Sequence, residues 1–144
     1  MLEPESSEKY AAMSQRYIEQ ADEEFEKGDL GQASNKAWGA AALALKSIAE
    51  RRGWNHNKHG LLYDISGQMA DELGQPELRI MFRSANAMHQ NYYEDWMAVD
   101  EVRDGIETAK AYLRELEAAQ DSASAGFVPE TAEQAARLRR LTGG

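Results

Sequence analysis

An arginine, a histidine and an asparagine lie close together in one segment of the chain and could act on a phosphate ester. Arg83 and His89 are separated by five residues, and Asn86 lies midway between them. Histidine can donate or accept a proton near neutral pH, and arginine can stabilise the charge that develops on a phosphate. These residue types therefore indicate a candidate acid–base site.

The helical spacing places the two principal groups on different faces. At about 100° per residue, Arg83 and His89 lie about 120° apart around a helix. Arg83 and Asn86 belong to a polar edge, whereas His89 falls in the apolar arc between Phe82 and Tyr92. Besides catalysis, the pattern therefore leaves open a histidine that packs in the core or in an interface.

The other two histidines, His56 and His59, follow the second predicted helix. Their spacing could place both on one metal ion, but no third ligand stands in suitable spacing. The chain has no cysteine, so thiolate chemistry is excluded. We predict no metal site and no cofactor, with these side chains capping a helix or bonding to the backbone.

The charge of the chain is uneven. The formal net charge is −9, which argues against a strongly basic nucleic-acid binder, yet residues 30–59 carry five basic side chains and one acidic one. An anionic ligand is expected there. The alternative is that these cations complement the dipole at a helix end. The candidate phosphate-binding residues are Lys46, Arg51, Arg52 and Lys58.

The elements that must position these residues are helices. The chain is rich in Ala, Glu, Leu, Lys and Arg, with three prolines. Apolar residues recur every three or four positions in five segments joined by short links, which predicts antiparallel neighbours. The fold class is an all-α, up-and-down bundle of about five helices with a C-terminal appendage. The predicted helices cover residues 7–27, 30–52, 59–73, 76–95 and 101–118.

The chain divides into a helical body, residues 1–118, and an appendage, residues 119–144. The appendage is predicted to hold a small polar linker over residues 120–126 and a short amphipathic helix over residues 130–141. This tail could contact another protein. No apolar run approaches bilayer length, and residues 1–5 lack signal-peptide character, so a cytoplasmic protein without membrane contact is expected.

Three segments of the chain are informative when taken together. They are residues 29–41, rich in alanine around Trp38; the turn Arg52-Gly53-Trp54 with His59 after it; and residues 86–94, Asn-Ala-Met-His-Gln-Asn-Tyr-Tyr-Glu. Together they resemble the HEPN superfamily (higher eukaryotes and prokaryotes nucleotide-binding), in its small stand-alone PaREP-type branch. The resemblance covers about residues 7–118. It implies a helical bundle, commonly dimeric, in which Arg and His from two subunits meet in one cleft.

The resemblance implies a dimeric module with metal-independent endoribonuclease activity. Arg83 and His89 match the superfamily signature, and the candidate catalytic residues are Arg83, His89 and Asn86. In this hypothesis a ribose 2′-hydroxyl attacks the adjacent phosphate, and two copies of His89 supply the acid and the base. Tyr92 and Trp96, aromatic residues near a helix end, are the candidate homodimer interface.

A second hypothesis is a non-catalytic module that binds a nucleotide or a protein. The net charge favours it, as do the aromatic neighbours of His89 and Ser84, which stands where active members often carry Asn, Asp or His. The two hypotheses agree on a homodimer and differ on whether RNA or a nucleotide is cleaved or only bound.

Overall fold

A computed structural model describes residues 4–119 and 127–143 of the chain, with side chains from residue 6 onward. Within these residues the secondary structure is entirely helical, which confirms the all-α prediction. None of the described helices combines the length and apolar character that crossing a bilayer requires. The helices are α1 (Pro4–Glu26), α2 (Leu30–Arg52), α3 (His59–Leu73), α4 (Glu77–Glu94), α5 (Val99–Ala119) and α6 (Ala132–Thr142).

The ends of α2 and α3 lie where the sequence predicts them. The side chain of Asp29 accepts a hydrogen bond from the backbone N–H of Gln32 at 3.0 Å, which caps the start of α2. Gly53 ends α2 in the left-handed conformation, with φ of 74°, and Gly74 ends α3 with φ of 65°. Glycine adopts this conformation without a steric penalty, so both helices stop sharply.

Two helices begin earlier than predicted. Ser7, predicted near the start of α1, is instead buried inside the helix and donates to the carbonyl oxygen of Ser47 at 2.8 Å. The helix α5 begins at Val99, two residues before its predicted start at residue 101. There the Glu101 carboxylate accepts the N–H of Ala98 at 3.1 Å. The hydroxyl of Ser7 thus bonds to α2 and not to a helix end, whereas Glu101 caps the first turn of α5.

The helix α2 lies at the centre of the bundle and packs against α1, α3, α4 and α5. Its predicted apolar face is buried along its whole length. The helices α3, α4 and α5 turn their own predicted stripes toward it. The core contains, among others, Trp38, Leu45, Ile48, Ile65, Met69, Phe82, Met88, Ile106 and Leu113.

The contact between α1 and α2 depends on a glycine. A Cβ atom at Gly39 would lie 2.6 Å from the ring of Tyr17, well inside van der Waals contact. The ammonium of Lys36, also on α2, lies 4.4 Å from the centroid of the same ring. The small residues of α2 therefore let α1 approach closely, as the sequence predicts.

The turn between α4 and α5 is built by a buried asparagine. Asn91 donates to the hydroxyl of Ser34 on α2 at 2.9 Å, and its carbonyl oxygen accepts the N–H groups of Trp96 and Met97, both at 2.8 Å. The chain leaves the helix through Asp95 in the left-handed conformation. The buried apolar face of α4 therefore ends before Trp96, which the turn carries onto the surface.

The helix α6 packs against α3 mainly through polar groups. Arg137 donates to Gln68 at 3.0 Å and to Asp71 at 2.8 Å, and Arg140 donates to both carboxylate oxygens of Asp64 at 2.8 and 2.9 Å. Burial alone would raise the pKa of Asp71, but its hydrogen bonds and ion pairs with the neighbouring arginines lower it. The predicted helical tail is thus present and docked, while the predicted linker lies outside the described residues.

Replacing Gly39 with alanine should weaken the α1–α2 contact. We expect Gly39→Ala to lower the free energy of unfolding by about 1–2 kcal/mol, the cost of overpacking less the gain in helix propensity. The measurement is urea unfolding followed by circular dichroism. Gly31→Ala is the control, because its Cβ would meet nothing closer than 3.8 Å. Equal stability of the two variants would contradict the close approach.

Candidate functional site

Two histidines from different helices lie together on one tryptophan. His59 opens α3 and His89 lies in the second half of α4, and their ring centroids are 5.9 Å apart. The indole of Trp38, from α2, lies 5.1 Å from the first ring and 4.9 Å from the second. The bundle therefore brings two imidazoles into one cluster within a single chain, which sequence reasoning missed because their positions are thirty residues apart.

Asn86 joins this cluster through His59. Its side-chain oxygen lies 3.1 Å from Nε2 of His59. An amide oxygen can only accept, so His59 is the donor in this contact. The structure thus places the predicted Asn86 beside the histidine pair, where it orients one of the two rings.

His89 is the more enclosed of the two imidazoles. It is half-buried, and its Nδ1 atom is buried without a hydrogen-bond partner among the described residues. Burial lowers the pKa of His89 below its ordinary value, and the nearby charge of His59 lowers it further. A neutral imidazole at neutral pH is suited to accept a proton.

Two tyrosines border the histidine pair on the surface. The ring of Tyr63 meets His59 edge-on at 5.8 Å, and the ring of Tyr93 meets His89 edge-on at 5.5 Å. Tyr93 is 72% exposed and Tyr63 is 41% exposed. His59 is therefore exposed and His89 half-buried between two exposed aromatic side chains, which can stack on a planar ligand.

Arg83 lies on the other side of Tyr63 and Phe82. It is exposed, has no ion pair or hydrogen bond with a described residue, and lines a groove between α3, α4 and α6. Tyr63 and Phe82 line the same groove, and their rings meet edge to face at 4.7 Å. The aromatic pair therefore separates the arginine from the imidazoles, as the angular offset along α4 predicts.

The predicted phosphate-binding residues have separate surroundings. Arg52 donates to both carboxylate oxygens of Glu72 at 2.7 and 2.9 Å and lies over the ring of Trp54. Lys46 is half-buried on α2, and Arg51 is exposed in the last turn. The remaining residue, Lys58, is exposed directly before the histidine that opens α3.

Other cations, which sequence reasoning did not select, lie close to Arg83. Arg79 lines the groove from α4, and Arg137 and Arg140 line it from α6. Sequence alone could not show this arrangement, because it depends on where the tail helix docks.

The third histidine has its own partners. His56 lies 2.8 Å from a carboxylate oxygen of Glu50 and meets the ring of Tyr10 edge-on at 5.7 Å. Among the described residues it shares no partner with His59. Across residues 4–119 and 127–143, no group of three or more histidine and acidic side chains is arranged to hold a metal ion.

The sequence matches one known family. The sequence model of the archaeal PaREP1/PaREP8 family matches residues 9–113, most of the chain. The chain belongs to the PaREP1/PaREP8 family. The histidine cluster of this PaREP1/PaREP8 protein lies inside the matched region, whereas α6 lies beyond its end. No curated protein matches the chain.

A solved structure shares the fold of this PaREP1/PaREP8 protein. It is the crystal structure of a protein from Sulfolobus solfataricus, with a TM-score of 0.66 and 23% sequence identity. The similarity covers 76% of this chain and 97% of that one. At this level of identity the likeness shows the helical fold alone.

The enclosure of His89 should be visible in its titration. We expect its imidazole to titrate below the ordinary value of 6.5, and His59→Gln to move that midpoint upward by removing a nearby charge. The unfolded chain binds this proton more readily, so His89 should reduce stability as the pH falls below its unfolded-state pKa. The measurement is an NMR titration of the imidazole C–H signals, and an unshifted midpoint would contradict the enclosed position.

Proposed function

We propose that this protein is a HEPN-like dimeric module that cleaves RNA without a metal ion. The observation that carries the proposal is the pair of imidazoles, exposed His59 and half-buried His89, whose rings lie 5.9 Å apart. Cleavage of RNA by its own 2′-hydroxyl needs one group that accepts a proton and one that donates a proton. A histidine pair can fill both roles within one protomer.

The two histidines have distinct roles in this reaction. His89, kept neutral by its surroundings, accepts the proton of the ribose 2′-hydroxyl as the oxygen attacks the adjacent phosphorus. The bond from phosphorus to the 5′-oxygen breaks, and protonated His59 donates a proton to that oxygen. The products are a 2′,3′-cyclic phosphate and a free 5′-hydroxyl. Asn86 holds His59 in place through the bond of 3.1 Å.

Arg83 contributes positive charge in this proposal. A guanidinium that has no carboxylate partner can bond to a phosphate oxygen with two parallel N–H groups. Within one protomer it lies beyond Tyr63 and Phe82, so it is placed to bind a phosphate along the strand. In a dimer, the same residue of the second copy could also approach the histidine pair, as the resemblance implies.

Removing either histidine of the pair should abolish cleavage. We expect His89→Ala and His59→Ala each to lower the rate of RNA cleavage by about 100-fold or more, the usual share of acid–base catalysis. The assay uses purified protein, a labelled RNA and a chelator of divalent cations. His56→Ala is the matched control, because His56 contacts Glu50 and Tyr10 instead. If the parent does not cut, or if all three variants cut equally, the proposal is wrong.

A second candidate function is a non-catalytic binding module. Exposed aromatic side chains at the end of α4 favour it, because Trp96 is 49% exposed and Tyr92 is 36% exposed. Such a patch is typical of a surface that associates with another protein. The same patch is our proposed homodimer interface, so dimerisation is common to both candidates and RNA cleavage separates them.

The aromatic patch should control self-association. We expect Trp96→Ala and Tyr92→Ala each to weaken the dimer about tenfold, the effect of losing one well-packed interface aromatic. Sedimentation equilibrium over a range of concentrations measures it. Val128→Ala, an exposed side chain outside α4, serves as the control and should leave the dimer unchanged. If the unmodified protein is a monomer, the proposed homodimer interface is wrong.

A further inference from the structure

The groove between α3, α4 and α6 carries positive charge in a protein whose formal net charge is −9. Four arginines line it, against the carboxylates of Asp64 and Glu133. A further carboxylate, Asp71, pairs with two of the arginines at one edge. The local balance is therefore positive even when all three acids are counted. The lining arginines are Arg79, Arg83, Arg137 and Arg140.

Three of these guanidinium groups have N–H donors that their described contacts do not use. Arg83 has no described partner, and Arg79 uses a single nitrogen on Asp71. Arg140 uses two nitrogens on Asp64, while its side chain stays 50% exposed. A guanidinium presents more N–H groups than one carboxylate occupies, so an anion can still be bound. The fourth, Arg137, is buried in its bonds to α3 and holds α6 in place.

We infer that this groove binds a phosphate group of an RNA strand next to the bond that is cleaved, with α6 as one wall. The inference rests on the proposed function for its choice of RNA. Tyr63 lines the groove and also touches His59, so a strand lying on the histidine pair would lead its neighbouring phosphate into the groove. The exposed ring of Tyr63 lies between the two and can stack on a base.

The C-terminal helix thereby gains a role in binding. It lies beyond the region that the family match covers, yet it supplies Arg140 to the groove. The body alone would offer only the arginines of α4. Phosphate binding across α4 and α6 would also couple the ligand to the docking of α6 on α3.

The experiment measures binding separately from cleavage. The probe is a fluorescein-labelled 2′-O-methyl oligouridine of about eight nucleotides, which has no free 2′-hydroxyl and cannot be cut. Fluorescence anisotropy with the full-length protein gives its dissociation constant. We expect Arg83→Gln and Arg140→Gln each to weaken binding about five- to tenfold, since each removes a charge-assisted hydrogen bond. Each should also reduce the slope of log affinity against log salt by about 0.7.

One variant should act in the opposite direction. Glu133→Gln removes a negative charge from the groove, and Glu133 has no hydrogen bond or ion pair to a described residue. We expect it to tighten binding about two- to fivefold. Arg103→Gln, on the exposed face of α5 and outside the groove, is the matched control and should bind as the parent does. Because Arg83 has no described partner, its variant tests the groove even if the change at Arg140 loosens α6.

Competition distinguishes the sources of phosphate. Displacement of the probe by unlabelled RNA, with inorganic phosphate and uridine 5′-monophosphate far weaker, supports a strand in the groove. Equal displacement by the monophosphate would overturn the RNA strand as the ligand. Binding that is unchanged in Arg83→Gln, Arg140→Gln and Glu133→Gln would overturn the groove itself. If cleavage depends on the histidines but binding does not depend on the groove arginines, the proposed function stands and the groove is rejected. If binding depends on the groove arginines but the protein does not cleave RNA, the groove stands and the proposed function is rejected.

Discussion

The indole of Trp38 holds the core and the candidate site together. It is 9% exposed, and its ring contacts those of Phe82, His59 and His89. Contacts between aromatic rings contribute about 0.5–1.5 kcal/mol each beyond the area they bury. One side chain of α2 therefore contacts both α3 and α4, and it packs against both imidazoles.

This arrangement requires α2 to be surrounded on several sides. Small residues beside the tryptophan allow α1 to pack closely, down to the ring of Tyr17 against Gly39. Buried polar contacts then set the relative positions of the helices, as where Ser34 bonds to Asn91 on α4. Apolar packing supplies most of the stabilisation, whereas these hydrogen bonds select one geometry, because an unpaired buried polar group is costly.

The tail helix is attached by a different kind of force. Its main contacts to α3 are ion pairs and hydrogen bonds of Arg137 and Arg140, with Leu141 as its fully buried apolar residue. Exposed ion pairs are screened by salt and contribute little individually, whereas the buried bonds of Arg137 contribute more. The docking of α6 should therefore respond to salt more than the body does, and so should the groove that it lines.

The sequence by itself determined the helices and most of the core. Apolar spacing, together with Asp29 and the glycines that end helices, depends on neighbours within a few residues, so it can be read locally. The starts of α1 and α5 were predicted two to three residues too late, because Ser7 bonds to Ser47 on α2 and Glu101 caps α5.

Only the tertiary structure decided which side chains meet. His59 reaches Asn86 and His89 because α3 packs beside α4, and the arginines of α6 reach the groove because the tail docks on α3. Helical periodicity gives the direction in which a side chain points, but not which helix lies opposite. The partner comes from a distant part of the chain, and its identity is set by the packing of the whole bundle.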